Sequence, residues 1–134
     1  MTADPKPKRK YKHKTERQKL DADCLELWSL CVRTRDKTCR NCNSDYLLQA
    51  HHIVQRTYKL SRYNTKNGLC LCKGCHFPEK FDFEGFRNMV IDIIGAAEYE
   101  AMQDIYRVKY KWSMDELKTI KEELKAELRR LEGE

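Results

Sequence analysis

The stretch that decides the fold is Asn67-Gly68-Leu69-Cys70-Leu71-Cys72-Lys73-Gly74-Cys75-His76, together with Cys39-Arg40-Asn41-Cys42 upstream. Two Cys-x-x-Cys pairs, Cys39 with Cys42 and Cys72 with Cys75, are separated by 29 residues. One such pair can grip an ion from a tight turn, and two pairs give the closed four-thiolate coordination of structural zinc. Gly74 is expected to permit the bend of the second turn. We therefore predict a structural Zn²⁺ site formed by these four cysteines.

The other three of the seven cysteines follow a different pattern. Cys24 and Cys31 share one apolar face of a helix predicted from Leu20 to about Arg35, so we expect them to pack in the core. Cys70 belongs to no Cys-x-x-Cys pair and is left outside the zinc set. The odd number of cysteines and the charged start of the chain favour an intracellular, reducing compartment over a disulfide framework. The sequence contains no run of 18 apolar residues, so no membrane span is predicted.

Positive charge is concentrated in two regions. The chain carries a formal net charge of +6. Residues 1–19 hold eight Lys or Arg against two acidic residues, and residues 33–80 hold ten against three. This pattern favours a polyanionic partner. Pro5 and Pro7 among the lysines predict that residues 1–17 are disordered when free, and a solvated basic leader without a partner is an equal alternative.

We divide the chain into a basic tail (residues 1–19) and one domain (residues 20–134). A zinc and catalytic core spans about 36–80, with two short strands between the cysteine pairs and a helix from about Lys73. Residues 81–134 form a helical extension with helices over 83–94 and about 96–109, the first closed by Gly95. A further helix follows the capping-box signature Ser113 to Glu116. The stripe of leucines on this last helix predicts either a face that packs in the core or an interface with a partner.

Three of the four histidines lie in the region that the zinc would organise. His51 and His52 are adjacent between the cysteine pairs, and His76 directly follows Cys75. Asn67 lies five residues before Cys72. A lone His is usually an ordinary core or surface residue, but three on one small scaffold indicate a functional site.

These motifs resemble the zinc-stapled branch of the HNH endonucleases of the ββα-metal group, over about residues 38–80. The matching elements are Cys39 and Cys42, the pair His51-His52, and the stretch from Asn67 to His76. The spacing of Arg56 and Arg62 before Asn67 is also similar to that of small phage-borne HNH proteins. Many relatives have Asp where this chain has His51, which makes this metal position neutral and softer.

The resemblance implies an α+β, mostly helical fold, with a ββα-metal core and a four-cysteine zinc knuckle pair flanked by an N-terminal helix and C-terminal helices. It implies a metal-dependent DNA endonuclease of weak sequence specificity that leaves 5′-phosphate and 3′-hydroxyl ends. His52 would be the general base, and His51 and His76 would hold one Mg²⁺, Mn²⁺ or other divalent ion. His76 and Asn67 would complete the catalytic set, with Asn67 bracing the loop that positions His52.

Phosphate contacts are expected from four basic residues of the same region: Arg56, Lys59, Arg62 and Lys66. For any one of them, ordinary solvated charge is an equal alternative. We expect a monomer whose partner is DNA and, by analogy with phage relatives, phage packaging proteins in the host-cell cytoplasm. Two other functions stay open: a non-catalytic zinc module that binds DNA, and a protein-interaction adaptor that uses the last helix.

Overall fold

The computed structural model describes residues 5–6, 13–76 and 82–133. In chain order, the described elements are α1 (Glu16–Asp36), β1 (Leu48–His52), a 3-10 helix (Thr65–Asn67), β2 (Gly68–Cys72), α2 (Lys73–His76), α3 (Phe83–Ile94), α4 (Ala96–Tyr106) and α5 (Met114–Glu132). The predicted α+β, mostly helical class is confirmed. No helix in this part of the chain combines the length and the hydropathy that a membrane span requires.

Helix α1 begins four residues before the predicted start at Leu20. Thr15 caps it, since its side chain accepts a hydrogen bond from the Gln18 backbone N–H and the Gln18 side chain accepts one from Thr15. The prediction of disorder through residue 17 is therefore wrong for Glu16 and Arg17, which are helical. Residues 1–4 and 7–12 of the predicted basic tail lie outside the described residues.

Helices α1 and α5 pack together and form the larger core. The α5 residues Leu117, Leu124 and Leu131 are buried in the same cluster as the predicted core residues of α1. Cys24 and Cys31 are buried, and their thiols lie 3.5 Å from the Leu117 carbonyl oxygen and 3.4 Å from that of Leu124. The prediction of a structural role for these two cysteines is confirmed. The leucine stripe is a core face, which removes the main argument for an adaptor surface on α5.

The two strands form an antiparallel hairpin in which His51 pairs with Leu69 and His52 with Gly68. All five residues of β2 are buried, since this strand lies between α1 and a second apolar cluster that includes Met89 and Val90 of α3. A Cβ atom at Gly68 would come within 2.3 Å of the Val32 side chain. Glycine therefore permits the close approach of β2 to α1.

Capping residues set the ends of the next two helices. Asp82 accepts a hydrogen bond from the Gly85 backbone N–H at the start of α3. Gly95 ends this helix with a φ of 93°, a left-handed conformation that glycine adopts without strain, as predicted. Helix α4 ends at Tyr106, three residues before the predicted end at Lys109.

Candidate metal centres and the histidine cavity

The four predicted zinc ligands converge. The sulfur atoms of Cys39, Cys42, Cys72 and Cys75 all lie within 4.8 Å of one another. The Cys42 and Cys72 sulfurs are 3.6 Å apart. Two thiolates bound at about 2.3 Å to one tetrahedral ion would lie about 3.8 Å apart, so the cluster fits zinc. The cluster therefore could hold a structural metal such as zinc, as the sequence predicts.

Backbone groups support both cysteine turns. The Cys42 N–H points at the Cys39 sulfur at 3.5 Å, and the Cys75 N–H points at the Cys72 sulfur at 3.4 Å. The Asn41 side chain joins the two turns, since its amide nitrogen lies 3.3 Å from the Cys75 sulfur. These donors would share the negative charge of the thiolates.

Gly74 does not have the role that its position in the second turn suggested. It lies inside α2, and among the described glycines only Gly95 has a positive φ. A Cβ atom at Gly74 would meet the Cys72 sulfur at 3.9 Å, an ordinary contact. The expectation that the turn needs glycine here is therefore wrong, because the backbone is helical.

Cys70 lies outside the zinc cluster. It is fully buried in the larger core against α1, and its backbone N–H donates to the Asp36 carboxylate at 3.0 Å. Burial raises the pKa of its thiol to about 11. Cys70 is therefore a packing residue that helps to hold β2 against the end of α1.

The end of β1 and the end of α2 bring His51 and His76 together, with His51 Nδ1 and His76 Nε2 3.3 Å apart. The other ring nitrogen of His76, Nδ1, lies 2.6 Å from the Gln49 side-chain oxygen. That oxygen can only accept, so Nδ1 carries the proton and Nε2 presents its lone pair to His51. Two imidazole nitrogens at about 2.1 Å from one ion lie about 3.0–3.4 Å apart, so the pair fits a shared ion.

Burial keeps both rings neutral, as ligands must be. Burial, with the neighbouring His76 and His52, lowers the pKa of His51 to about 3. Burial also lowers the pKa of His76. Within the described residues, no third His, Cys, Asp or Glu completes a cluster with this pair, and residues 77–81, which follow His76, lie outside the described part. Water or phosphate oxygens would supply the other ligands of an ion held here.

His52 faces the other side of β1, where its ring stacks on Trp28 with centroids 3.7 Å apart and planes within 8°. Its Nε2 lies 2.9 Å from the Arg62 backbone carbonyl oxygen. A carbonyl only accepts, so Nε2 carries the proton and Nδ1 is the basic nitrogen. Burial lowers the pKa of His52, and the hydrogen bond to Arg62 partly opposes this change.

Asn67 closes the loop that connects the two strands. Its side chain is fully buried; Oδ1 accepts from the Val54 N–H at 2.6 Å, and Nδ2 donates to the carbonyls of Val54 and Ser61 at 3.0 and 3.2 Å. The loop also carries the Arg62 carbonyl that holds His52. Asn67 therefore acts on His52 through the backbone of the loop.

One cavity of about 170 Å³ joins the two adjacent histidines. His51 and His52 line it from β1, and α3, α4 and the segment after α4 add Phe86, Arg87 and Arg107. We call this space the histidine cavity. His51 and His52 therefore border one volume with two arginines at its walls, whereas His76, Trp28 and Arg62 are not among the residues that line it.

Sequence reasoning missed four of the contacts at this site. Gln49 could have been found, because residues two apart on a strand share a face and Gln49 precedes His51 by two. Trp28 comes from α1, which is distant from His52 in sequence. Phe86, whose ring lies edge-on to His51 at 4.8 Å, and Arg107 come from distant elements, and no local pattern places them there.

The four predicted phosphate-binding residues fall into two groups. Arg56, Lys59 and Lys66 are exposed. Arg62 is 8% exposed, and its guanidinium lies 2.9 Å from the Asp21 carboxylate. A buried and paired guanidinium is not a surface cation, so the structure separates Arg62 from the other three.

Comparisons with protein-family models, with curated proteins and with solved structures gave no match.

Proposed function

We propose that the chain is a metal-dependent DNA endonuclease of the HNH type. The observation that carries the proposal is the arrangement around β1, where His51 lies within reach of one ion shared with His76, and where His51 and His52 border the same histidine cavity. Two antiparallel strands followed directly by α2 support the proposal, because a ββα-metal core would have this order of elements. The four-cysteine cluster would hold the ends of this core together.

In this proposal His52 accepts a proton from the attacking water. The Arg62 carbonyl and the face of Trp28 orient the ring, so that Nδ1 is the acceptor. Its lowered pKa keeps the imidazole neutral at neutral pH, which is the form that a general base needs. Asn67 is a positioning residue, because it fixes the loop that supplies the Arg62 carbonyl.

His51 and His76 would hold the divalent ion, and Gln49 would orient His76 through its second nitrogen. When bound, such an ion supplies positive charge to the phosphate and to the departing 3′ oxygen. Two neutral imidazoles suit Mn²⁺ and softer ions better than they suit Mg²⁺, which prefers oxygen ligands. Products with 5′-phosphate and 3′-hydroxyl ends are expected.

The charge distribution supports a polyanionic substrate. Arg87 and Arg107 line the histidine cavity. Three further cations are exposed in the segment between β1 and β2: Arg56, Lys59 and Lys66. Backbone phosphates would contact these residues irrespective of sequence. Weak sequence specificity is therefore the expected behaviour.

Supercoiled plasmid tests the proposal. The zinc-loaded protein is incubated with plasmid and with Mg²⁺, Mn²⁺ or no added ion, and the nicked and linear products are quantified. The expected result is ion-dependent cleavage that His52→Ala abolishes. His13→Ala, a change of the histidine that the proposal does not use, should leave cleavage intact. A gel shift without cleavage would instead support the DNA-binding zinc module, and neither cleavage nor binding would contradict both.

A further inference from the structure

A second cavity lies between the start of α1, the loop after β1 and the segment that precedes α5. Its volume is about 280 Å³, close to the lower end, roughly 300 Å³, of small-molecule sites. Three aromatic rings and three cations line it: Tyr63, Tyr110, Trp112, Arg17, Lys59 and Lys111. We call it the Trp112 pocket. It shares no lining residue with the histidine cavity.

The rings of the Trp112 pocket are held in place. The Trp112 indole N–H donates to the Lys59 carbonyl at 2.7 Å, and the Arg17 guanidinium donates to the Trp112 carbonyl at 2.6 Å. The Tyr110 ring lies edge-on to Trp112 with centroids 4.6 Å apart, and its hydroxyl donates to Glu116 at 2.8 Å. A ligand would therefore meet an aromatic surface that needs little ordering on binding.

The cations of this pocket have no acidic partner among the described residues. No carboxylate in that part of the chain lies within 4.0 Å of the charged nitrogens of Arg17, Lys59 or Lys111. Asp21, the acidic residue in the wall, is already engaged by Arg62 and by the Tyr63 hydroxyl. The pocket therefore combines flat apolar faces with uncompensated positive charge.

We propose that the Trp112 pocket binds an unpaired nucleotide of a single-stranded nucleic acid. The base would stack on Tyr110 and contact Trp112 beside it, since the planes of the two rings differ by 66°. The flanking phosphates would contact Arg17, Lys59 and Lys111, and stacking with phosphate contacts is the chemistry that single-strand sites use. A paired base presents no free face to an aromatic ring, so duplex DNA does not enter the pocket. The inference is independent of cleavage at the histidine cavity.

Tryptophan fluorescence tests this proposal, because the other tryptophan, Trp28, is 2% exposed, so that a ligand can contact only Trp112 directly. Oligothymidylate, oligouridylate and duplex DNA are titrated into the zinc-loaded protein without added divalent ion. We expect the single strands to quench Trp112. Because DNA and RNA share the recognised chemistry, the tighter of the two homopolymers identifies the source of the strand.

Three variants locate the binding. Tyr110→Ala should weaken single-strand binding about 5- to 150-fold, the range expected for loss of one base–aromatic stack, and leave duplex binding unchanged. Lys111→Ala should lower the salt dependence of single-strand binding. Tyr46→Ala, a change of a tyrosine that is 71% exposed outside the pocket, is the matched control. Unchanged Trp112 fluorescence, or a Tyr110→Ala protein that binds single strands as tightly as the control, would overturn the proposal.

Discussion

Replacing Asn67 by leucine tests how the loop between the strands is held. The substitution keeps the branching at Cγ but removes every hydrogen bond of the side chain. Val54 is 1% exposed, and within the described residues Asn67 is the hydrogen-bond partner of both its backbone N–H and its carbonyl. The Ser61 carbonyl keeps a second partner, the backbone N–H of Asn64 at 3.1 Å. The substitution therefore leaves two buried backbone groups without a partner.

Each buried group left unpaired costs about 1–3 kcal/mol, so Asn67→Leu should lower the free energy of unfolding by about 2–6 kcal/mol. That is a large share of the roughly 5–15 kcal/mol that stabilises a typical domain. Urea unfolding of the zinc-saturated protein measures the loss, with Asn88→Leu on the exposed face of α3 as control. The control should stay within about 0.5 kcal/mol of the parent protein. An Asn67→Leu protein as stable as the control would refute the bracing argument.

Three further predictions follow from packing and charge. Gly68→Ala should destabilise the protein by about 1–3 kcal/mol in urea unfolding, because the added methyl group collides with α1. In the control Gly133→Ala the added methyl group would meet no atom closer than 3.5 Å, so the loss of stability should be far smaller. Equal losses of stability in the two variants would contradict this reasoning. Burial raises the pKa of Cys24 and of Cys31 to about 11. Their reactive thiolate forms only as pH rises toward that value, so alkylation at pH 8, followed by mass spectrometry, should be about 100-fold slower than that of a free thiol, and equal rates would disprove their burial. Deleting residues 1–12, which spares the Thr15 cap, should reduce the salt dependence of DNA binding by about 0.9 in slope for each lost phosphate contact, whereas an unchanged slope would show that the tail does not touch DNA.

Local patterns predicted the helices and the presence of two strands but not all boundaries, since β2 (Gly68–Cys72) extends into the second cysteine pair instead of lying between the pairs. The three- and four-residue spacing of apolar residues placed α1, α3 and α5, because a single buried face imposes that period. The start of α1 was misplaced because the capping pair Thr15 and Gln18 lies in a charged stretch without apolar period. Gly74 was misread because the backbone at a Cys-x-x-Cys turn can be helical, and a helix does not need glycine.

The candidate site was predictable where its residues are close in sequence. The two cysteine pairs and the histidines beside them could be grouped by spacing alone, and the four sulfurs do converge. Contacts made by distant elements could not be found in this way. Trp28 on His52, Phe86 on His51 and Asp21 on Arg62 depend on how the helices pack. Arg62, which was predicted to contact phosphate, is for this reason found in a buried ion pair with Asp21.

In the proposed mechanism His51 and His76 hold the ion while His52 accepts the proton. The most direct test is the plasmid cleavage rate as a function of Mn²⁺ concentration for His51→Ala and His52→Ala, with Mn²⁺ affinity measured by calorimetry. High Mn²⁺ should partly restore cleavage by His51→Ala, because this change weakens the ion site. His52→Ala should bind Mn²⁺ normally yet stay about 100- to 10,000-fold slower at every concentration, as expected for a lost general base. Rescue of His52→Ala by Mn²⁺, with no rescue of His51→Ala, would contradict the assignment.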